Sequence, residues 1–120
     1  MEKYLVLGAS PNPLRHSYKA VKSLIRHGKA VVPVGFRKGS IGGEEILKGK
    51  PELDRITTLL LYLGEKRQKE FYKYILETIV PTKLVFNPGT ENSELKELAV
   101  KQGINVIDGC ALVMINSGQL

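Results

Sequence analysis

Residues 4–17 read Tyr4-Leu5-Val6-Leu7-Gly8-Ala9-Ser10-Pro11-Asn12-Pro13-Leu14-Arg15-His16-Ser17. The first four form a continuous apolar run, the pattern of a strand covered on both faces in a parallel sheet. Gly8 to Pro13 then break the run with turn formers. From Tyr18 the period changes: Tyr18, Val21, Leu24 and Ile25 recur at helical spacing, with Lys19, Lys22 and Arg26 on the opposite face. Ser17 is placed to cap this helix and Gly28 to stop it. A strand, a turn of small residues and a helix N-terminus in succession predict a βα unit. Its turn offers backbone N–H groups and the positive end of a helix to an anion.

The same alternation continues in both directions along the chain. Ala30 to Val34 reads as a second strand, with Pro33 awkward inside it because proline donates no ladder hydrogen bond. Residues 35 to 56 are weakly patterned, with one helical turn expected over Glu44 to Leu47. Thr57 to Leu63 reads as a third strand. Lys66 to Ile79 reads as a helix with Phe71, Tyr72, Ile75, Leu76 and Ile79 on one stripe, ended by Pro81. Lys83 to Phe86 is a fourth strand, followed by the turn Asn87-Pro88-Gly89-Thr90. Asn92 is placed to cap a helix through Leu95, Leu98 and Ala99, and Gly103 stops it. Asn105 to Ile107 is a fifth strand, and Ala111 to Ile115 reads as a further short one. This order predicts an α/β fold: a doubly wound, Rossmann-like parallel sheet of about five strands in a single domain, residues 1–120.

Composition narrows the function classes. The 120 residues are 42% hydrophobic and 25% charged, as in a globular protein. No apolar run approaches the roughly 20 residues of a membrane span. Met1-Glu2-Lys3 leads directly into a strand with no secretory signal, so the cytoplasm is the expected compartment. Cys110 is the single cysteine and the histidines are only His16 and His27, which gives no zinc pattern. Eighteen Lys and Arg face 12 acidic residues, a formal net charge of +6. Such an excess favours anionic ligands.

In open parallel sheets, ligands bind beyond the carboxyl ends of the strands. Those ends here are Gly8-Ala9-Ser10, Gly35-Phe36-Arg37-Lys38, Tyr62-Leu63-Gly64 and Asn87-Pro88-Gly89. Small residues let a ligand approach the backbone closely. Arg15 and Ser17 stand beside the first turn as further donors. The dinucleotide fingerprint G-x-G-x-x-G is absent, since Ser10 and Asn12 stand where further glycines would be. An NAD site also needs an acidic residue at the end of the second strand. Arg37 and Lys38 stand there instead and suit a phosphorylated ribose, which leaves coenzyme A or NADP.

The run Gly8-Ala9-Ser10-Pro11-Asn12-Pro13, with Arg15 and Ser17-Tyr18, resembles the first loop of the small stand-alone CoA-binding domain proteins. The likeness continues through Gly28, Val32-Pro33-Val34, Asn87-Pro88-Gly89 and the surroundings of Cys110. Those proteins are similar to the N-terminal CoA-binding domain of the succinyl-CoA synthetase alpha subunit. The resemblance implies a coenzyme A site over the first and second strand ends. Gly8, Ser10 and Arg15 would serve the phosphates, with Ala9, Asn12 and Ser17 in the same loop and helix start. Gly35, Arg37 and Lys38 would lie by the adenosine end. Tyr62 and Gly64 would flank the site, and Asn87 and Gly89 would complete its rim. Many members carry Asn-Pro after the second strand, where this chain has Gly35-Phe36.

No catalytic residue is assigned. His16 has no acidic neighbour in sequence, His27 sits at a helix end where a cation is favoured, and Cys110 beside Ala111 and Leu112 reads as a small buried hydrophobe. The leading reading is a non-catalytic or regulatory module that binds coenzyme A or an acyl-CoA, with an unidentified protein partner left open. The alternatives are an NADP-binding reductase subunit and a nucleic-acid binder. Lysines spread over every helix, rather than gathered on one face, speak against the last.

Overall fold

In the computed structural model, which describes residues 2–120, five parallel strands form one sheet: β1 (Lys3–Leu7), β2 (Ala30–Val34), β5 (Thr58–Leu61), β6 (Lys83–Phe86) and β7 (Asn105–Asp108). Their order across the sheet is β2-β1-β5-β6-β7. Interior strand β1 is in register with β2 from Lys3 opposite Ala30 and with β5 from Tyr4 opposite Thr58. The chain moves outward from β1 in one direction through α1 (His16–Arg26) to β2, and in the other through β5, β6 and β7. The order therefore reverses between β1 and β5, where a doubly wound sheet opens its crevice.

Outside β2, Leu47 pairs in parallel with Val34. Its N–H donates to the Pro33 carbonyl at 3.0 Å and its carbonyl accepts from Gly35 at 2.9 Å. This one-residue stub takes the place of a strand beyond β2. Pro33 is accommodated for the same reason: its carbonyl points away from β1, so its nitrogen faces the stub, and no bond to β1 is lost.

Side chains alternate between two cores, one on each face of the sheet. Leu5, Leu7, Leu59, Leu61, Leu84 and Phe86 pack on one face with Phe71 and Ile75 and with Leu95 and Ala99 of α3 (Ser93–Lys101). Tyr4, Val6, Leu60 and Val85 pack with Ala20, Val21, Leu24, Ala111 and Ile115 on the other. The apolar stripe of α1 thus lies down as its spacing requires, and Gly28, at φ 72°, ends the helix in the left-handed conformation.

Four local expectations are corrected. Glu44 to Leu47 is not a helical turn: β3 (Ser40–Ile41) and β4 (Glu44–Glu45) form a hairpin. Its two-residue turn, Gly42-Gly43, has positive φ at both positions, which the tightest hairpins require. Ala111 to Ile115 is not a strand but α4 (Ala111–Asn116), which buries Ala111 and Ile115 four residues apart. A five-residue apolar run has no period that separates the two.

The expected helix over Lys66 to Ile79 divides into α2 (Glu65–Gln68), a 3₁₀ turn (Lys69–Phe71) and a π-helical turn (Tyr74–Ile79). Tyr74, Ile75, Leu76 and Ile79 are all buried, a face wider than an α-helix presents, and the wider π turn turns them inward together. Finally, Ser17 does not cap α1. Arg15 occupies the cap position without a side-chain bond, and the Ser17 hydroxyl instead accepts from the Ser10 amide at 3.1 Å.

Candidate functional site

A cavity of about 680 Å³ opens over the carboxyl ends of β1, β5 and β6. That is the size of an ordinary small-molecule site. Its floor is the β1–α1 loop. Gly8 takes φ 99° and approaches the Tyr62 carbonyl so closely that a Cβ would lie 2.9 Å from its carbon. Only glycine satisfies both conditions.

The loop is largely self-bonded. The amides of Gly8 and Ala9 both donate to the Val34 carbonyl, at 2.8 and 2.9 Å. The Asn12 amide donates to the Ser10 hydroxyl at 3.1 Å, and Asn12 in turn receives the Leu14 amide on Oδ1 and the Arg15 amide on its carbonyl, each at 3.0 Å. The amides left without an acceptor among the described residues are those of His16, Ser17 and Tyr18, the first turn of α1. The loop fixes the helix end, and the helix end supplies the donors for an anion.

Of the residues singled out in the sequence, Gly8, Ala9, Ser10, Asn12, Arg15 and Ser17 line the cavity from β1–α1. Arg37 lines it from beyond β2, Tyr62 and Gly64 from beyond β5, and Asn87 and Gly89 from beyond β6. Gly35 and Lys38 do not. Gly35 is buried against the Ala9 carbonyl oxygen, which a Cβ would overlap, so its smallness serves the packing of β2 on the loop. Lys38 is exposed beyond the rim.

Asn87 has a structural duty as well. Its Nδ2 donates to the Leu61 carbonyl at 3.0 Å, and its Oδ1 accepts from the Ala111 amide at 2.8 Å. Nearby, buried Gln68 donates to the Leu63 and Thr90 carbonyls at 2.8 and 2.7 Å and accepts from Asn92 at 2.8 Å. These bonds hold the β5 and β6 ends in a fixed relation.

The cavity also takes in Phe36, Arg67, Thr90, His16 and Cys110. Arg67 had no signal in the sequence, where it is one of two adjacent cations in α2. The Tyr62 hydroxyl is buried without a hydrogen-bond partner among the described residues. Burial, and then the neighbouring Cys110, push its phenol above the usual range.

The electrostatics of the lining are one-sided. Three arginines, Arg15, Arg37 and Arg67, stand in it with no Asp or Glu. The ion pairs among the described residues, Lys29 with Glu2 and Lys96 with Asp108, use none of the three. The arrangement can bind a polyanion of small-molecule size at the sheet's switch point.

The family model described as a CoA binding domain matches residues 2–116. No curated protein matches the sequence. Among solved structures, the chain is similar to an uncharacterized protein at 40% identity, with a TM-score of 0.95, covering 100% of this chain and 98% of that one. A conserved hypothetical protein from Pyrococcus furiosus aligns at 27% identity and a TM-score of 0.81, over 94% and 98%. A Thermus thermophilus structure shares the fold at 21% identity and a TM-score of 0.86, over 99% and 90%.

Proposed function

Because this chain belongs to the CoA-binding domain family, we propose that it binds coenzyme A or an acyl-CoA in the cavity over β1 and β5, as a non-catalytic or regulatory module. The observation that carries the reading is the cavity lining itself: three arginines in no ion pair among the described residues, no carboxylate in the lining, and the open first turn of α1, gathered where the strand order reverses. A nucleotide with a pyrophosphate and a separate ribose phosphate matches that charge. The pyrophosphate would lie by the α1 first turn with Arg15, and the adenosine end toward Arg37 beyond β2. The missing carboxylate after β2 speaks against NAD.

The reading assigns binding and no turnover. His16 lies in the lining, but none of the lining residues is an acid that could orient it as a base. A carrier or sensor role beside a separate protein follows, and a lone, unbridged Cys110 suits a reducing compartment such as the cytoplasm.

Isothermal titration of the purified chain with coenzyme A and with NAD tests the proposal. Binding of coenzyme A without binding of NAD is expected. Binding of NAD alone would overturn it.

A further inference from the structure

The guanidinium carbon of Arg67 lies 4.3 Å from the centroid of the Phe36 ring. The two come from different elements: Phe36 follows β2, and Arg67 belongs to the helical turn after β5. Since β1 lies between β2 and β5, this contact passes across the end of β1. Phe36 is itself held in place. Its ring meets Phe71 edge-on, with centroids 6.1 Å apart and planes at 79°, so it leans on the core face opposite to α1. The cavity therefore has the first turn of α1 with Arg15 on one flank and the Phe36–Arg67 pair on the other.

The position over the ring matters for what Arg67 can do. A guanidinium is a rigid planar fork of N–H donors, and contact with an aromatic face restrains where that fork lies. A fork held in that way is pre-organised for two parallel bonds to phosphoryl oxygens. Among the described residues no carboxylate pairs with Arg67 to compete for those donors, and Phe36 remains 46% exposed at the cavity edge.

We propose that Arg67, oriented by Phe36, is the phosphoryl-recognition residue on the flank opposite α1, and that the pair sets the site's demand for a pyrophosphate ligand. A pyrophosphate over the end of β1 would be held from both sides, by the α1 first turn and Arg15 on one and by the Arg67 fork on the other. Arg67 is a binding residue in this scheme and Phe36 a positioning residue. The inference rests on the coenzyme A reading for its natural ligand, but its claim concerns phosphoryl groups and extends to ADP.

The test is calorimetric titration of coenzyme A and of ADP into the native chain and four variants: Arg67→Ala, Arg67→Lys, Phe36→Leu and the Arg67→Ala, Phe36→Leu double variant. Circular dichroism checks the fold, and Arg67 is exposed, so its removal leaves the cores intact. Arg67→Ala should weaken both ligands about tenfold or more. Arg67→Lys should recover only part of that, because the ammonium keeps the charge and loses the fork. Phe36→Leu should weaken both ligands about two- to fivefold, and should add nothing in the Arg67→Ala background. Additive effects of the two substitutions would show that Phe36 does not act through Arg67 and would overturn the pairing. Full recovery by lysine would overturn the role of the fork. Coenzyme A bound equally by the native chain and by Arg67→Ala would overturn the inference and leave the coenzyme A reading standing. ADP bound and coenzyme A refused would overturn the coenzyme A reading; the inference would then stand on about a tenfold loss of ADP affinity in Arg67→Ala and fall on equal ADP binding. Binding of neither would remove both.

Discussion

The Oδ1 of Asn87 accepts the amide of Ala111 at 2.8 Å, across 24 residues of chain. That amide opens the first turn of α4, which packs against α1 through the core shared by Val21, Leu24 and Ile115. The same side chain donates to the Leu61 carbonyl at the end of β5. One buried amide thus ties the β5 end, the β6 turn and the C-terminal helix to the rim of the cavity.

Asn87→Ala should orphan a buried donor at Ala111 and a buried acceptor at Leu61. Each orphan costs about 1–3 kcal/mol. The chain should therefore lose roughly 2 kcal/mol or more in urea unfolding, and Asn87→Asp should fare no better, because a carboxylate cannot donate to the Leu61 carbonyl. A native denaturation midpoint for Asn87→Ala would show that α4 docks without this bond.

Two glycines of the strand ends should respond unequally. Gly35→Ala drives a methyl into the Ala9 carbonyl oxygen, and a backbone atom cannot step aside as a side chain does. The cost should be roughly 3 kcal/mol. Gly64→Ala meets nothing within 4 Å and needs no left-handed backbone, so its stability should stay within about 0.5 kcal/mol of native. Gly64 lines the cavity and Gly35 does not, so any change in ligand affinity without a change in stability should be confined to Gly64→Ala. Thermal melts of the two proteins decide it, and equal melting temperatures would contradict the packing assigned to Gly35.

Tyr74 links stability to alkaline pH. It is buried, and its hydroxyl donates to the Pro51 carbonyl at 2.6 Å. Burial pushes its phenol from 10.0 up to about 12. Above pH 10 the unfolded chain releases this proton before the folded one does, so the unfolded state binds fewer protons and stability falls with rising pH. The loss should run from about pH 10 to about pH 12, where the folded group also titrates. Tyr74→Phe should start lower by about 1 kcal/mol at neutral pH, having lost the bond, and should decline less steeply between pH 10 and 12. Parallel curves for the two proteins would mean that another group governs the alkaline limb.

The βα units were legible in the sequence because their periods are long or their boundaries sharp. Tyr4 to Leu7 is a continuous apolar run cut off by Gly8, and α1 shows four apolar residues at helical spacing before Gly28. The illegible parts depend on contacts distant in sequence. Ala111 to Ile115 becomes a helix because Ala111 and Ile115 find the α1 core and Asn87 takes the first amide, and neither fact is local. The π turn at Tyr74 arises from how wide a face the sheet covers. In the candidate site, the first loop was readable from its small residues and helix start. Arg67 was not, since nothing near it in sequence distinguishes it from Lys66 or Lys69, and its place is set by Phe36, 31 residues earlier by numbering. Arg37 and Lys38 read as an equivalent pair. The backbone beyond β2 separates them, turning the first to the cavity and leaving the second outside it.

That separation sharpens the last prediction. If Arg37 meets the ribose 3′-phosphate of coenzyme A, the native chain should prefer coenzyme A over dephospho-coenzyme A. A charge-assisted hydrogen bond contributes about 1.5–3 kcal/mol, so one such contact corresponds to about a tenfold to hundredfold preference. Arg37 is exposed, and solvent screening should pull the effect toward the lower end. Arg37→Ala should erase the preference while sparing dephospho-coenzyme A. Lys38→Ala should retain most of it, losing only the long-range attraction of one screened charge. The measurement is a ratio of two affinities on one protein, so a general loss of folded material cancels from it. The three arginines also separate in this assay: Arg15→Ala and Arg67→Ala should weaken both ligands together, because both retain the pyrophosphate. An unmodified chain that binds the two ligands equally would remove Arg37 from the site, and a preference lost on Lys38→Ala instead would reassign the phosphate to the exposed side of the β2 end.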